Sequence, residues 1–351
     1  MRAARVETSQ GEDTRDEKGV KTITGALTRR GALTLGLAGL SSLIVGDEAG
    51  RAPLNEYRRL GVAFGTQVAI TLHAPNENEA EAAFASGFAE IRAIDRLASL
   101  TRPDSEVYRL NRDGALDEPS PALLEMLRTA DAMHTATRGA FDVTIQPMWL
   151  AMDAAAKRGG WLTDAEVREM RALVDQKALS FDERRVVFDR PGMALTLNSL
   201  ARGLAADRVG AALARLGVAH AMFDTDVLGA QGTKPDGRPW VARIRHPRDE
   251  QRSVGYARVA GCLATSGDYA YFWTPDYSRN HIVDPRRGAS PMDFSSVTIF
   301  ARSGHVADAL STAAFLVGAE EAEALVRGCG AEALFVDKAG NVTPTPGFPF
   351  V

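Results

Sequence analysis

Apolar and polar residues alternate over 61–73, GVAFGTQVAITLH, which predicts a half-buried strand. Residues 78–100 are rich in Ala and Glu, with Phe84, Phe88, Ile91, Ile94 and Leu97 at helical spacing, and predict a helix. A second helix is expected over 121–137, ended by Arg138-Gly139. The charged stretch 151–180 reads as helical, and Val186-Val187-Phe188 and 194–198 read as short strands around a turn at Pro191-Gly192. An amphipathic helix over 201–216 is stopped by Gly217. Strands follow near 219–224, 240–245, 255–265 and 296–301, then helices over 305–317 and 320–327 and a last strand over 333–337. Strands gather in runs and do not alternate strictly with helices. The pattern therefore predicts an α+β fold with mixed sheets flanked by helices.

The first fifty residues follow a different rule. A polar stretch, 1–24, has no hydrophobic periodicity, and Arg29-Arg30 then precedes a weakly apolar run of small and aliphatic residues over 32–45. That order is the pattern of a twin-arginine export signal, and the run is too short for a stable membrane span. The expected organisation is an address over 1–50 and one globular domain over 51–351, working in the periplasm. In that oxidising space Cys262 and Cys329 either pair or remain two separate thiols, and both readings stay open.

Composition narrows the function by exclusion. The 351 residues are 45% hydrophobic and 25% charged, an ordinary globular profile, and 41 basic against 45 acidic residues give a net charge of −4. No polycationic surface is implied, so nucleic acid is not expected as a partner. Two cysteines without a CxxC exclude a disulfide scaffold and a structural zinc site. GxGxxG after a strand, the GxxxxGK[ST] phosphate loop, HExxH and GxSxG are all missing.

Three clusters carry chemistry. In Ala307-Asp308-Ala309-Leu310-Ser311-Thr312-Ala313, at the opening of a helix, Asp308 stands three and four residues before Ser311 and Thr312. All three oxygens then share one helix face, a hard-oxygen set suited to Mg²⁺; a dipole-favoured Asp followed by small packing residues gives the same pattern. Ser266-Gly267-Asp268, at a strand end, offers amides and a carboxylate, and His281 precedes a turn at Asp284-Pro285, placed to move a proton or merely to cap that turn. Finally, Leu197-Asn198-Ser199-Leu200-Ala201-Arg202-Gly203 leads into a helix whose N-terminus, with Arg202, suits a phosphate or simple helix packing.

Together with Gly65-Thr66, Arg102-Pro103-Asp104-Ser105 and Gly139-Ala140-Phe141-Asp142, this succession resembles the ApbE family over about residues 60–340. Members of that family attach FMN, taken from FAD, to a Thr or Ser of a target protein. The resemblance implies magnesium on Asp308 and Thr312, with Ser311 beside them and the Ser199 carbonyl completing the protein ligands. Arg202 takes the place of the family's usual Lys near the phosphates. Ala140, Phe141, Asp142 and Ile282 are expected along the flavin, with Ser266 and Gly267 in the same cofactor-binding set. His281, or Asp268 near it, is expected to accept the hydroxyl proton.

Phe64, Gly65, Thr66, Thr101 and Thr196 complete the implied cofactor-binding set. This chain departs from the family pattern at Phe64, which can still stack on a ring, at Thr101 and at Asn198-Ser199, while the changes at Thr196 and Asp226-Val227-Leu228 fall at the adenosine end of the expected site. An exported member with Asp224-Thr225-Asp226 is most similar to the NosX-type accessory proteins of nitrous-oxide respiration. Its implied partner is an exported or membrane-anchored protein with an acceptor Thr or Ser, such as a NosR-type flavoprotein. Two other readings use the same residues: an FAD-binding accessory protein without transfer, and an FAD pyrophosphatase.

Overall fold

The computed structural model describes residues 53–351 together with the two-residue strand Lys21–Thr22. The twin-arginine pair and the apolar run behind it lie outside the described residues. In chain order the strands are β1 (Lys21–Thr22), β2 (Asn55–Ala63), β3 (Thr66–Ala74), β4 (Ala115–Asp117), β5 (Leu179–Phe181), β6 (Arg185–Phe188), β7 (Ala221–Asp224), β8 (Leu228–Gln231), β9 (Val241–His246), β10 (Asp249–Arg258), β11 (Cys262–Gly267), β12 (Phe294–Ala301), β13 (Glu332–Asp337) and β14 (Val342–Pro344). The helices are α1 (Glu77–Ala98), α2 (Glu106–Asp113), α3 (Pro121–Ala136), α4 (Gln146–Lys157), α5 (Asp164–Arg171), α6 (Ala201–Arg215), α7 (Gly304–Val317) and α8 (Ala319–Gly328).

The main sheet runs β1-β2-β3-β7-β8-β11-β12-β13-β14, antiparallel throughout except for the β1–β2 pair. Alternation along β11 shows how it divides two cores: Cys262 and Ala264 join the helical side, Leu263 the other. On the helical side α1, α6 and α7 pack against the strands and against each other, burying Phe84, Phe315, Ile70 and Leu72 completely. Each such side chain contributes about 1.5–3 kcal/mol by leaving water. On the opposite face the β9–β10 ribbon and the C-terminal Phe348 close a smaller core around Trp240 and Leu334. The architecture is α+β, as the runs of strands imply, with the sheet largely antiparallel.

Five local expectations change. The stretch 61–73 is not one strand but parts of the β2–β3 hairpin, turned at Phe64 and Gly65, both at positive φ (53° and 74°). A bulky residue in the left-handed region is rare, so the alternating pattern ran through the turn unmarked. The charged stretch breaks at Gly159-Gly160 into α4 and α5. Residues 194–198 form no ladder; their backbone is held by single contacts, Thr196 N to Val143 O (2.8 Å) and Leu195 N to Asn111 Oδ1 (2.8 Å). The 255–265 run divides at Val259-Ala260-Gly261 between β10 and β11, and β8 and α2 lie where no element was expected. The cysteines do not pair: Cys262 is buried, its thiol pushed up to about 12 by burial, and Cys329 is exposed. No described helix is long and apolar enough to cross a membrane.

Candidate active site

Two helices hold each other at the site. Asp207 of α6 accepts hydrogen bonds from Ser303 Oγ (2.7 Å), Gly304 N (2.6 Å) and His305 N (3.1 Å), capping the start of α7. In return Asp308 of α7 accepts from Gly203 N of α6 (2.9 Å). The exchange is possible because Gly203 and Gly304 meet backbone to backbone, where neither position tolerates a Cβ. α6 has no side-chain cap of its own at Leu200, so its first turn faces the cavity beside it.

That cavity, about 400 Å³, is walled mainly by 140–149, the 196–202 approach to α6, the end of β11, 281–283, and α7 through Asp308, Thr312 and Leu316, with Leu100, Asp226 and Ala270-Tyr271 completing it. The volume is within the range of small-molecule sites. Twelve of the residues singled out from the sequence meet here: Ala140, Phe141, Asp142, Thr196, Ser199, Arg202, Ser266, Gly267, His281, Ile282, Asp308 and Thr312. Ser311 is buried just behind, giving its hydroxyl to Asp308 O (2.8 Å) and lying 2.8 Å from Ser266 Oγ, while Thr312 Oγ1 lies 3.0 Å from that same oxygen. Phe64 touches the site through Arg202, whose guanidinium is 5.9 Å from its ring. Gly65, Thr66 and Thr101 do not line the cavity; the neighbouring Leu100 does.

Asp268 is placed differently from its expected role. It is fully buried off the cavity wall, gripped in a bidentate pair by Arg248 (2.6 and 2.7 Å) and by Lys338. Both oxygens are occupied, which makes it an anchor between β11, the β9–β10 ribbon and the end of β13. Asp268→Ala is expected to cost about 3 kcal/mol of stability, because two cations lose their only close counter-charge. Urea unfolding measures this; unchanged stability with lost activity would restore Asp268 as a proton acceptor.

The electrostatics of the cavity centre on Asp308. Burial pushes its carboxyl up to about 7, partly offset by the Gly203 amide and by Arg202. Among the described residues no cation forms an ion pair with it; Arg202 acts from further off and is opposed by Asp226 on the same cavity. Together with the hydroxyl of Thr312 and the wall at Ser199 the carboxylate forms an oxygen donor set with one charge, which fits a hard divalent cation that completes its shell with phosphate and water. Among the described residues no group of three or more His, Cys, Asp or Glu offers a softer site. Arg202 reaches Asn198 O (3.1 Å) and pairs with Asp226 (3.3 Å), a residue at φ 73°.

His281 stands across from these groups. Its Nδ1 faces Tyr271 O at 3.0 Å, so the proton sits on Nδ1 and Nε2 is left as an acceptor. Burial lowers its pKa below 6.5, so the ring is neutral at neutral pH. If it accepts the proton, activity falls as pH drops through that lowered value, and the acid limb of kcat disappears in His281→Gln. An unchanged limb in that variant would assign the titration elsewhere.

Sequence reasoning missed the apolar and aromatic lining, including Leu100, Val143, Ile145, Leu316, and Trp149 and Tyr271 with rings 5.7 Å apart. Asp153 fixes Tyr271 and the neighbouring Trp273, accepting from Tyr271 Oη (2.7 Å) and Trp273 Nε1 (3.1 Å). Nothing in the local pattern marks α4 as a wall of the site; only the fold brings it to the 269–281 segment.

The sequence profile of the ApbE family matches residues 64–335, spanning every wall of this cavity. The chain belongs to the ApbE family. It is 31% identical over 251 residues to the FAD:protein FMN transferase of Vibrio cholerae, covering 66% of this chain and 74% of that protein. The Treponema pallidum FAD:protein FMN transferase is 29% identical over 323 residues, 83% of this chain and 87% of its own. Among solved structures, the flavin transferase ApbE from Vibrio cholerae superposes with a TM-score of 0.74 at 25% identity, covering 85% of this chain and 100% of that one. The ApbE protein from Thermotoga maritima gives 0.75 at 26% identity, covering 83% and 97%. The ApbE-like fold is thus shared over nearly all the described residues.

Proposed function

We propose that the protein is an FAD:protein FMN transferase that needs magnesium, is exported by the twin-arginine route and acts in the periplasm on a Thr or Ser of an exported or membrane-anchored protein. The observation that carries the chemistry is a buried, cation-seeking carboxylate, Asp308, in the same cavity as Arg202 and the neutral His281. The acceptor hydroxyl attacks the FMN-side phosphorus of FAD. The new bond is the phosphoester to the protein; the bond broken joins that phosphorus to the bridging oxygen, which leaves with AMP. His281 Nε2 takes the hydroxyl proton, while Arg202 and the first turn of α6 hold phosphate oxygens in line. Asp308 and Thr312, with Ser199, hold the magnesium, which when bound neutralises charge on the pyrophosphate.

Flavin lies along Phe141 and Ile282, with Ala140 and Asp142 beside them. The Arg29-Arg30 pair supports export, and the Asp224-Thr225-Asp226 segment supports a NosX-type role in nitrous-oxide respiration with a NosR-type flavoprotein as acceptor. Mass spectrometry of a co-expressed NosR-type acceptor tests this: an FMN adduct on Thr or Ser, with AMP released in equal amount, is the expected result. AMP and free FMN without any adduct would make the protein an FAD pyrophosphatase. Bound flavin without AMP would leave it an accessory protein.

A further inference from the structure

A second hollow, about 560 Å³, opens beside the cavity between α4–α5 and the segment leading to His281, and neither the fold nor the chemistry above uses it. The two adjoin. Val283 lines both, and Trp149 of the cavity lies 6.0 Å, ring to ring, from Trp273 of the groove. The groove floor is apolar and open, with Trp161 40% and Met292 53% exposed, more than a folded chain needs to leave in water at one place.

Its charge is positive. The Arg279 guanidinium lies over Trp161, its carbon 4.2 Å from the ring centroid, and among the described residues it meets no carboxylate and makes no hydrogen bond. Stacking fixes the plane of an arginine and leaves its in-plane N–H groups free, the geometry that receives a carboxylate bidentately. Arg287, 76% exposed, approaches only Asp284 (3.8 Å), which is already held by Arg286. The one carboxylate on the groove, Asp164, lies in the first turn of α5, where the helix dipole favours it.

We propose that this groove docks the acceptor protein, taking an apolar side chain against Trp161 and Met292 and an acidic residue on Arg279. The proposal rests on the transferase reading, since that reaction requires a protein segment at the cavity mouth. Arg279 is two residues before His281, so one short segment serves both groove and cavity, and an extended acceptor strand advancing about 3.3 Å per residue can reach both. Asp153, by tying Tyr271 and Trp273 together, keeps the rim between groove and cavity rigid.

The test uses the whole protein with FAD, magnesium and short synthetic peptides, each with a single central threonine and either Glu or Lys at one position from two to six residues away. FMN adducts are read by mass spectrometry, and FAD binding separately by quenching of its fluorescence. We expect Glu peptides to have a KM about tenfold below Lys peptides, the size of one charge-assisted hydrogen bond. Arg279→Ala should erase that preference and Arg279→Glu reverse it, with the KM for FAD unchanged. Adducts on both peptide types without preference overturn the groove while leaving the transferase reading intact. Adducts on neither, with FAD still bound, overturn the groove as a site for a short segment. A raised FAD KM in Arg279→Ala, with peptide KM unchanged, would give the groove to the dinucleotide. Absence of FAD binding by the unaltered protein would overturn the transferase reading itself.

Discussion

Asp308→Ala is expected to lower FMN transfer on the order of a hundredfold or more while leaving the protein folded. The size follows from the proposed function: the buried carboxylate on α7 would be the charge that holds the cation, and neither Asp142 nor Asp226, on other walls of the cavity, stands on that helix. The variant loses the bond from Gly203 N but also removes a buried carboxylate, and above pH 7 the second effect offsets the first. Burial pushes the Asp308 carboxyl up to about 7, above its unfolded value. A carboxyl raised in this way contributes stability below its unfolded pKa, and that contribution is lost as pH rises through about 7. In the absence of magnesium at pH 8, Asp308→Ala should therefore be as stable as the parent or more so in thermal unfolding. Magnesium should raise the Tm of the parent and leave the variant unmoved. The same carboxyl predicts how magnesium demand varies with pH. Below about 7 a cation must displace a proton, so the magnesium needed for half-maximal transfer rises as pH falls, and it levels off above 7. At saturating magnesium that limb vanishes, leaving the His281 limb below 6.5. Full transfer by Asp308→Ala would remove the cation from this helix.

Local signals recovered what local physics decides. The helices α1, α3, α6, α7 and α8 follow apolar spacing and end near Gly or capping residues, so one-dimensional pattern places them within a few residues. Asp308 and Thr312, one turn apart on α7, share a wall because helix geometry leaves no choice. What stayed hidden depends on contacts distant in sequence. The turn at Phe64-Gly65 needs a left-handed Phe, a conformation the hairpin imposes and the residue does not advertise. Asp268 reads as a free carboxylate beside Ser266 until Arg248 and Lys338, twenty and seventy residues away, close on it. Trp149 and Tyr271 are unremarkable in their own segments and meet only because the fold brings α4 against the 269–281 segment, where Asp153 of α4 accepts from Tyr271.

Gly203→Ala should damage stability and activity together, although the same change inside most helices helps by about 1 kcal/mol. A Cβ at Gly203 would lie 2.5 Å from the carbonyl carbon of Gly304 and 2.6 Å from His305 Cα. Both are backbone atoms of α7, and no rotamer change can relieve them, so the helices must separate at their crossing. Overpacking of this kind costs about 1–3 kcal/mol. The separation also stretches the Gly203 N to Asp308 Oδ2 bond and the three bonds that Asp207 makes to the start of α7. Asp308 then moves relative to Ser199 and Arg202, which ride on α6. A displacement near 1 Å at a catalytic centre is worth about a hundredfold in rate. Gly210→Ala on the same helix is the control: its Cβ would meet only side chains, the Phe223 ring at 3.2 Å, which can give slightly, and Gln231 Oε1 at an ordinary 3.7 Å. The expected pattern is a lowered Tm and a loss of transfer exceeding tenfold for Gly203→Ala, with Gly210→Ala close to the parent in both. Equal behaviour of the two variants would mean that the α6–α7 crossing does not set the geometry of the cation site.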